Sequence, residues 1–196
     1  MSNRPAPERG QGPHECGPGD DSTGPLEAIP EEFVAIEVRA AAPADAEGVR
    51  AIYNAEVTGS TVTFDLVPRT LEDQLAWQAR HSGGHPAIVA IGDGEVLGFA
   101  SLSPYRDRPA YATTVEDSVY VHRDHRSEGV GKVLLTEICR LATVHGFHSV
   151  VARIADAQEP SIALHRACGF ELVGIEREIG RKLGRWLDVA VMQKLL

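Results

Sequence analysis

The stretch with the most chemical content runs from Val119-Tyr120-Val121 through Arg126-Ser127-Glu128-Gly129-Val130-Gly131-Lys132. An apolar strand ends, a polar loop with two glycines turns, and an apolar helical period starts behind it. The first turn of a helix exposes unsatisfied amides and carries partial positive charge. Behind a glycine-bearing turn, that geometry receives a pyrophosphate. Gly129 and Gly131 remove side chains that would block backbone approach, and Arg126 and Lys132 add positive charge. Two glycines ahead of a helix also serve as plain turn chemistry, and periodicity does not identify the ligand.

Other reactive residue types are sparse. Cys16, Cys139 and Cys168 show no paired spacing, as befits a reducing compartment rather than a disulfide scaffold. His14 and Cys16 are two possible metal ligands, too few for a site, and no metal is expected. Nothing near Cys168 suggests an activated nucleophile, and it reads as small core filling.

The elements that must position the loop follow from hydrophobic period. Phe33 to Arg39 alternates as a strand. Pro43 opens a helix carrying Val49, Ile52, Tyr53 and Val57 at helical spacing. Thr70, with Glu72 and Asp73 behind it, caps a second helix through Gln78. Ala87–Ile91 and Glu95–Leu102 flank Gly92-Asp93-Gly94 as a hairpin. Thr113–Val121 is a strand, and the helix behind the glycine loop extends to about His145. A strand at Ser149–Ile154 and a short helix at Ser161–Cys168 follow, the latter ending at Gly169. Phe170–Val173 and Leu187–Met192 read as strands around a polar loop, Glu176–Arg185. The fold class is α/β, a mixed twisted sheet with helices on both faces.

Composition sets the boundaries. The 196 residues suffice for one domain with a core. Residues 1–32 carry seven acidic and two basic side chains, −5 of the formal −9, and are rich in Gly and Pro. Such a segment cannot bury enough surface to offset its ordering entropy and reads as a disordered tail, with the folded domain at 33–196. It lacks the apolar core of a secretory signal. No stretch approaches the roughly 20 apolar residues of a membrane span, and no basic stripe invites nucleic acid. The expected setting is the cytoplasm.

Arg126–Gly131 resembles the R/Q-x-x-G-x-G/A motif of the GNAT acetyltransferases. Ile52-Tyr53-Asn54, Thr113–Val121, Ser161–Phe170 and Gly180–Asp188 resemble, more narrowly, the phosphinothricin and methionine sulfone/sulfoximine N-acetyltransferases. The likeness spans about residues 35 to 196. It implies the GNAT fold and acetyl transfer from acetyl-CoA to the amine of a small amino-acid-like substrate, in a homodimer. By the resemblance, Val119, Tyr120 and Val121 offer strand backbone to the pantetheine arm. Arg126, Ser127, Glu128, Gly129, Val130, Gly131 and Lys132 belong to the pyrophosphate loop. Gln158 stands where relatives usually carry Asn, whose side chain reaches the cofactor before the next helix, and is the implied cofactor contact there. Glu116 matches the family's acidic residue on the central strand and is the implied general base. His165 matches a histidine of the helix after the cofactor site, with assistance to catalysis and a structural role both open. Phe170 stands nearest, by motif, to the tyrosine that protonates the leaving thiolate in many GNAT enzymes, and it has no hydroxyl. Arg106, Asp107 and Arg108 resemble the substrate loop, and by the resemblance Asp117 and Ser118, beside Glu116, flank the substrate along the strand, with Glu116 itself among the substrate-binding residues. Arg181 and Lys182 lie in a second characteristic loop. Trp186 reads as a packing or dimer residue. Two other readings remain: a GNAT enzyme for a different amine (an antibiotic, a polyamine or a protein N-terminus), and a non-catalytic acetyl-CoA sensor.

Overall fold

The computed structural model describes residues 35–196. The tail expected at 1–32, with His14 and Cys16, lies outside the described residues. Seven strands form one sheet in the order β1-β2-β3-β4-β5-β7-β6. They are β1 (Glu37–Ala40), β2 (Ala87–Gly92), β3 (Glu95–Pro104), β4 (Thr114–Val121), β5 (Ser149–Ala155), β6 (Glu171–Lys182) and β7 (Arg185–Leu195). Only β4 and β5 pair in parallel; every other neighbour is antiparallel. The helices are α1 (Ala46–Gly59), α2 (Leu71–Arg80), α3 (Val130–Val144) and α4 (Glu159–Ala167).

The two faces of the sheet bury different clusters, because successive strand residues point to opposite sides. Ile88, Ala90, Ala100, Leu102 and Val115 pack against Leu134, Leu135 and Ile138 of α3 and Ile162 of α4. Val89 and Phe99 pack with Val49, Ile52, Tyr53 and Val57 of α1. Helices therefore cover both faces.

Local chemistry accounts for the helix starts. Pro43–Asp45 forms a short 3₁₀ turn ahead of α1. Asp45 accepts from the Ala42 N–H at 2.7 Å and takes a bidentate fork from Arg39 at 2.7 and 2.9 Å. At α2, Thr70 Oγ1 accepts from the Asp73 N–H at 3.1 Å, and Asp73 Oδ2 accepts from the Thr70 N–H at 2.9 Å. That is a reciprocal capping box.

One expectation is corrected. Glu176–Arg185 is not a polar loop: β6 continues to Lys182 and turns back into β7 through Leu183-Gly184 alone. Both turn residues have positive φ, 49° and 76°, matching the twist of a tight hairpin. The register shifts between Glu176 and Gly180, and that irregularity breaks the alternation by which a strand is read.

Candidate active site

The site arises where the parallel pair separates. Pairing of β4 with β5 stops at Asp117↔Ala152, although β4 runs on to Val121 and β5 to Ala155. Past that point β4 stays bonded to β3, and β5 to β7. The edges that face each other are free to accept a ligand. A cleft of about 780 Å³ opens there.

Its first wall is β4 from Glu116 to Val121. Alternation sends Asp117, Val119 and Val121 toward α3 and α4, and Glu116, Ser118 and Tyr120 toward α1. Tyr120 stacks on Phe99, with ring centroids 5.1 Å apart. The second wall is Ala152 to Ala155 of β5. Gln158, Ser161, Leu164 and His165 come from the start and inner face of α4, and Val62 to Phe64 from the segment after α1.

The end of the cleft is the α3 N-terminus. Arg126, Ser127, Gly129, Gly131 and Lys132 line it. Gly129 is the N-cap of α3 at φ 87°, a conformation that favours glycine, and a Cβ there would meet nothing within 4 Å. The open space in front of the helix amides is the feature a phosphate needs. The other two members of the loop stand differently. Val130 is buried in the core and offers only its backbone. Glu128 is turned to His125 Nδ1, 3.0 Å away.

Glu116 is half-buried. Burial pushes its carboxyl above the ordinary value, Arg153 opposes this, and the charges of Asp117 and Glu176 add to it. Arg153 is itself paired with Glu176, which weakens its pull. A carboxylate with a raised pKa in a cleft is suited to take a proton near neutral pH.

Asp117 does not flank Glu116 on the same side. It is 6% exposed and reaches α4, where His165 Nε2 lies 3.2 Å from its Oδ2. Gln158 lines the cleft as the residue capping α4, although its side chain makes no cap hydrogen bond. Arg106, Asp107 and Arg108 are exposed on the β3–β4 connection, outside the cleft lining. Arg106 lies 4.9 Å over the Tyr105 ring. Arg181 lies 5.7 Å from the Trp186 ring. Lys182 is a buried residue that donates to the carbonyls of Thr63 at 2.7 Å and Glu56 at 3.3 Å, so its ammonium holds the chain after α1.

Sequence reasoning missed Glu56. It is 3% exposed and lines the cleft. Its carboxylate accepts from Arg123 Nε and an Arg126 Nη2, both at 2.9 Å, and from Ser60 Oγ at 2.6 Å. Burial alone would raise its pKa, but the arginine and serine bonds outweigh it and hold it below the ordinary range. Glu56 thus fixes Arg126 at the mouth of the phosphate-type loop. The available signal was a carboxylate inside the apolar stripe of α1, between Tyr53 and Val57. Among the described residues, no group of three or more His, Cys, Asp or Glu stands together as a metal site, and no helix is long and apolar enough to cross a membrane.

Comparison with known proteins agrees with this geometry. The Acetyltransferase (GNAT) family profile matches residues 49–170. The chain is 42% identical to the L-methionine sulfoximine/L-methionine sulfone acetyltransferase of Pseudomonas paraeruginosa, over 80% of this chain and 92% of that protein. It is 36% identical to the phosphinothricin N-acetyltransferase of Streptomyces coelicolor, over 82% and 96%. Among solved structures, the phosphinothricin acetyltransferase of Sinorhizobium meliloti in complex with AcCoA superposes with a TM-score of 0.78 at 40% identity. It covers 82% of this chain and 88% of that one. The ribosomal-protein-alanine N-acetyltransferase of Brucella melitensis gives 0.80 at 37% identity, over 82% and 99%. Cleft, loop and sequence agree, and the chain belongs to the GNAT acetyltransferase family.

Proposed function

We propose that the chain transfers the acetyl group of acetyl-CoA to the amine of a small amino-acid-like substrate of the phosphinothricin, methionine sulfoximine or methionine sulfone type. Transfer is direct, in a ternary complex. One observation carries the reading: the splayed β4–β5 edge joins a helix N-terminus open to phosphate and a half-buried carboxylate in a single cleft. The relatives named for such substrates supply the substrate class.

Acetyl-CoA is an activated donor, so the protein must chiefly align the amine and polarise the thioester carbonyl. In this reading the α3 amides, Ser127 and Lys132 hold the pyrophosphate, with Arg126 steadied by Glu56. Free backbone groups of Val119 to Val121 hold the pantetheine arm. Glu116 takes the proton that the substrate ammonium must lose before it can attack. Ser118 shares the face of β4 with Glu116 and borders the amine. Arg106 and Arg108 would meet the substrate's anionic groups, and Asp107 its ammonium, only by movement of their connection toward the cleft.

The working unit is a homodimer in the cytoplasm, with 33–196 the catalytic domain. Supporting the dimer, the β6–β7 hairpin exposes Leu172, Val173, Ile175, Ile179, Leu183 and Trp186, the last 60% exposed. Exposed apolar side chains gathered on one hairpin suit a contact surface. Sedimentation at micromolar concentration is expected to give twice the chain mass; a monomer alone would refute the dimer.

The substrate is tested by thiol release from acetyl-CoA over a panel of amino acids, sulfoximines, sulfones and phosphinates. A peptide with N-terminal alanine belongs in the panel, because the Brucella melitensis neighbour is named for such an acceptor. The expected result is turnover confined to the small amino-acid-like amines. Turnover of the peptide alone would move the substrate to protein N-termini. Acetyl-CoA binding without turnover of any amine would favour a sensor.

A further inference from the structure

Arg153 lines the cleft away from its phosphate end. Val150, Ala152 and Ile154 of β5 belong to the cluster under α3 and α4, so Arg153 points to the opposite face of the sheet. Glu116 points to that same face, because its neighbour Val115 is buried in the α3 cluster. Glu116 is paired with Val151, and the pairing ends one step later at Asp117↔Ala152. Arg153 is therefore the first residue of β5 past the point where the strands part. It stands two positions along from the partner of Glu116. Strand spacing and rise put the Glu116 and Arg153 Cα atoms about 8 Å apart, so one small molecule can touch both side chains.

The guanidinium is held on one side only. Its Nη2 donates to Glu176 Oε2 of β6, and among the described residues this is the one hydrogen bond of the side chain. The pair reaches over β7, where Val191 is paired with Arg153 and Val189 with Glu176. Both side chains stay partly exposed, and such a pair adds little stability. Nε and Nη1 keep donors for a second acceptor, and their planar fork matches a carboxylate. The charge of Arg153 is felt at Glu116, whose raised pKa it opposes. The other basic residues lining the cleft are engaged elsewhere. Arg126 is bonded to Glu56, His125 lies against Glu128, and His165 lies between Ser161 and Asp117. Lys132 belongs to the first turn of α3.

We propose that Arg153 binds the α-carboxylate of the acceptor, with Glu176 holding the guanidinium so that its free edge faces the cleft, and that this contact selects free α-amino acids over peptides and simple amines. The inference rests on the acetyl-transfer reading above and narrows its acceptor. An α-amino acid carries its ammonium and its carboxylate on one carbon. Glu116 takes the ammonium and Arg153 the carboxylate, across the gap between β4 and β5. A peptide N-terminus has an amide in place of that carboxylate, and a polyamine has no anion there. Either one leaves the guanidinium without a charged acceptor from the substrate.

The test compares L-methionine sulfone with its carboxamide, which differ at the group in question. kcat/KM is measured for both in wild type, Arg153→Gln and Glu176→Gln. Comparing the acid-to-amide ratio between proteins cancels the different amine pKa of the two compounds. Arg153→Gln is expected to lower the ratio by about 10–10²-fold, the worth of hydrogen bonds to a charged group. The loss should fall on KM for the acid, with KM for acetyl-CoA and the rate on the amide unchanged. Glu176→Gln keeps the cation and should hold the ratio within about fivefold of wild type. An unchanged ratio in Arg153→Gln would overturn the proposal, and so would an equal loss in Glu176→Gln, which would make the pair structural only. Calorimetry with CoA present repeats the comparison without chemistry. Wild type should bind the acid more tightly than the amide; equal affinity, or no binding of the acid, would overturn the proposal even if neither variant folds. Turnover of neither compound would count against the acetyl-transfer reading, while the affinities still decide the role of Arg153.

Discussion

Replacing Glu116 by Gln tests the base assignment through two effects of opposite sign. Glu116 stands in the middle of β4, opposite Ser103 of β3 and Val151 of β5, so the amide can occupy the same space. Burial raises its pKa, which means that ionised Glu116 is held in the fold at a cost. A group whose folded pKa lies above its unfolded value contributes stability below the unfolded pKa, and that contribution is lost as pH rises through the folded one. At pH 8 the cost is in full effect, and Gln, which cannot ionise, removes it. Glu116→Gln should therefore raise Tm at pH 8 and leave it nearly unchanged near pH 4. Turnover should move the other way. Loss of a general base costs about 10²–10⁴-fold, or about 3–5 kcal/mol of barrier at 1.36 kcal/mol per decade. Acetyl-CoA affinity by calorimetry should not change, since the phosphate end of the cleft lies at α3. The raised pKa also places the acid limb of wild-type kcat/KM above the ordinary carboxylate value, and the deficit of Glu116→Gln should shrink at high pH as free amine accumulates. Turnover within about threefold of wild type at pH 7 would refute the assignment.

Gly129→Val should fold less stably because of its φ of 87°, and its side chain should fill the space before the α3 amides; calorimetry is expected to show loss of CoA binding, and full affinity in the folded variant would argue against that end as the phosphate site. Glu56→Ala should cost about 1.5–3 kcal/mol in urea unfolding, the range for hydrogen bonds to a charged group, and not more, because Arg123 and Arg126 are half-exposed and can turn to water. Asp45→Asn should weaken both the Arg39 fork and the start of α1. Since the Arg39 hydrogen bond holds the Asp45 carboxyl below its ordinary value against burial, its stability contribution is present above the unfolded pKa and lost as pH falls through the folded one; the variant's Tm should converge on wild type in acid.

Most elements of this protein were legible in its sequence because their causes are local. The α1 stripe, the Thr70–Asp73 box, the Asp93-Gly94 turn and the apolar period behind Gly129 each depend on neighbours within a turn or two of the chain. The phosphate-type loop was legible for the same reason: strand, glycines and helix start are contiguous. The end of β6 was not, because its register shift before Gly180 suspends the alternation on which a strand is recognised. What only the tertiary structure decided is which residues meet across the sheet. Glu56 and Arg126 are 70 positions apart and Asp117 and His165 are 48, and no spacing rule connects them. Asp117 read as a neighbour of Glu116 along β4, but consecutive strand residues face opposite ways, and α4 lies over its side. Lys182 read as a residue of a second characteristic loop; the hairpin buries it under the chain after α1, where it donates to two carbonyls. The sequence determined which chemistry was present, and the divergence of β4 from β5 determined which groups share the cleft.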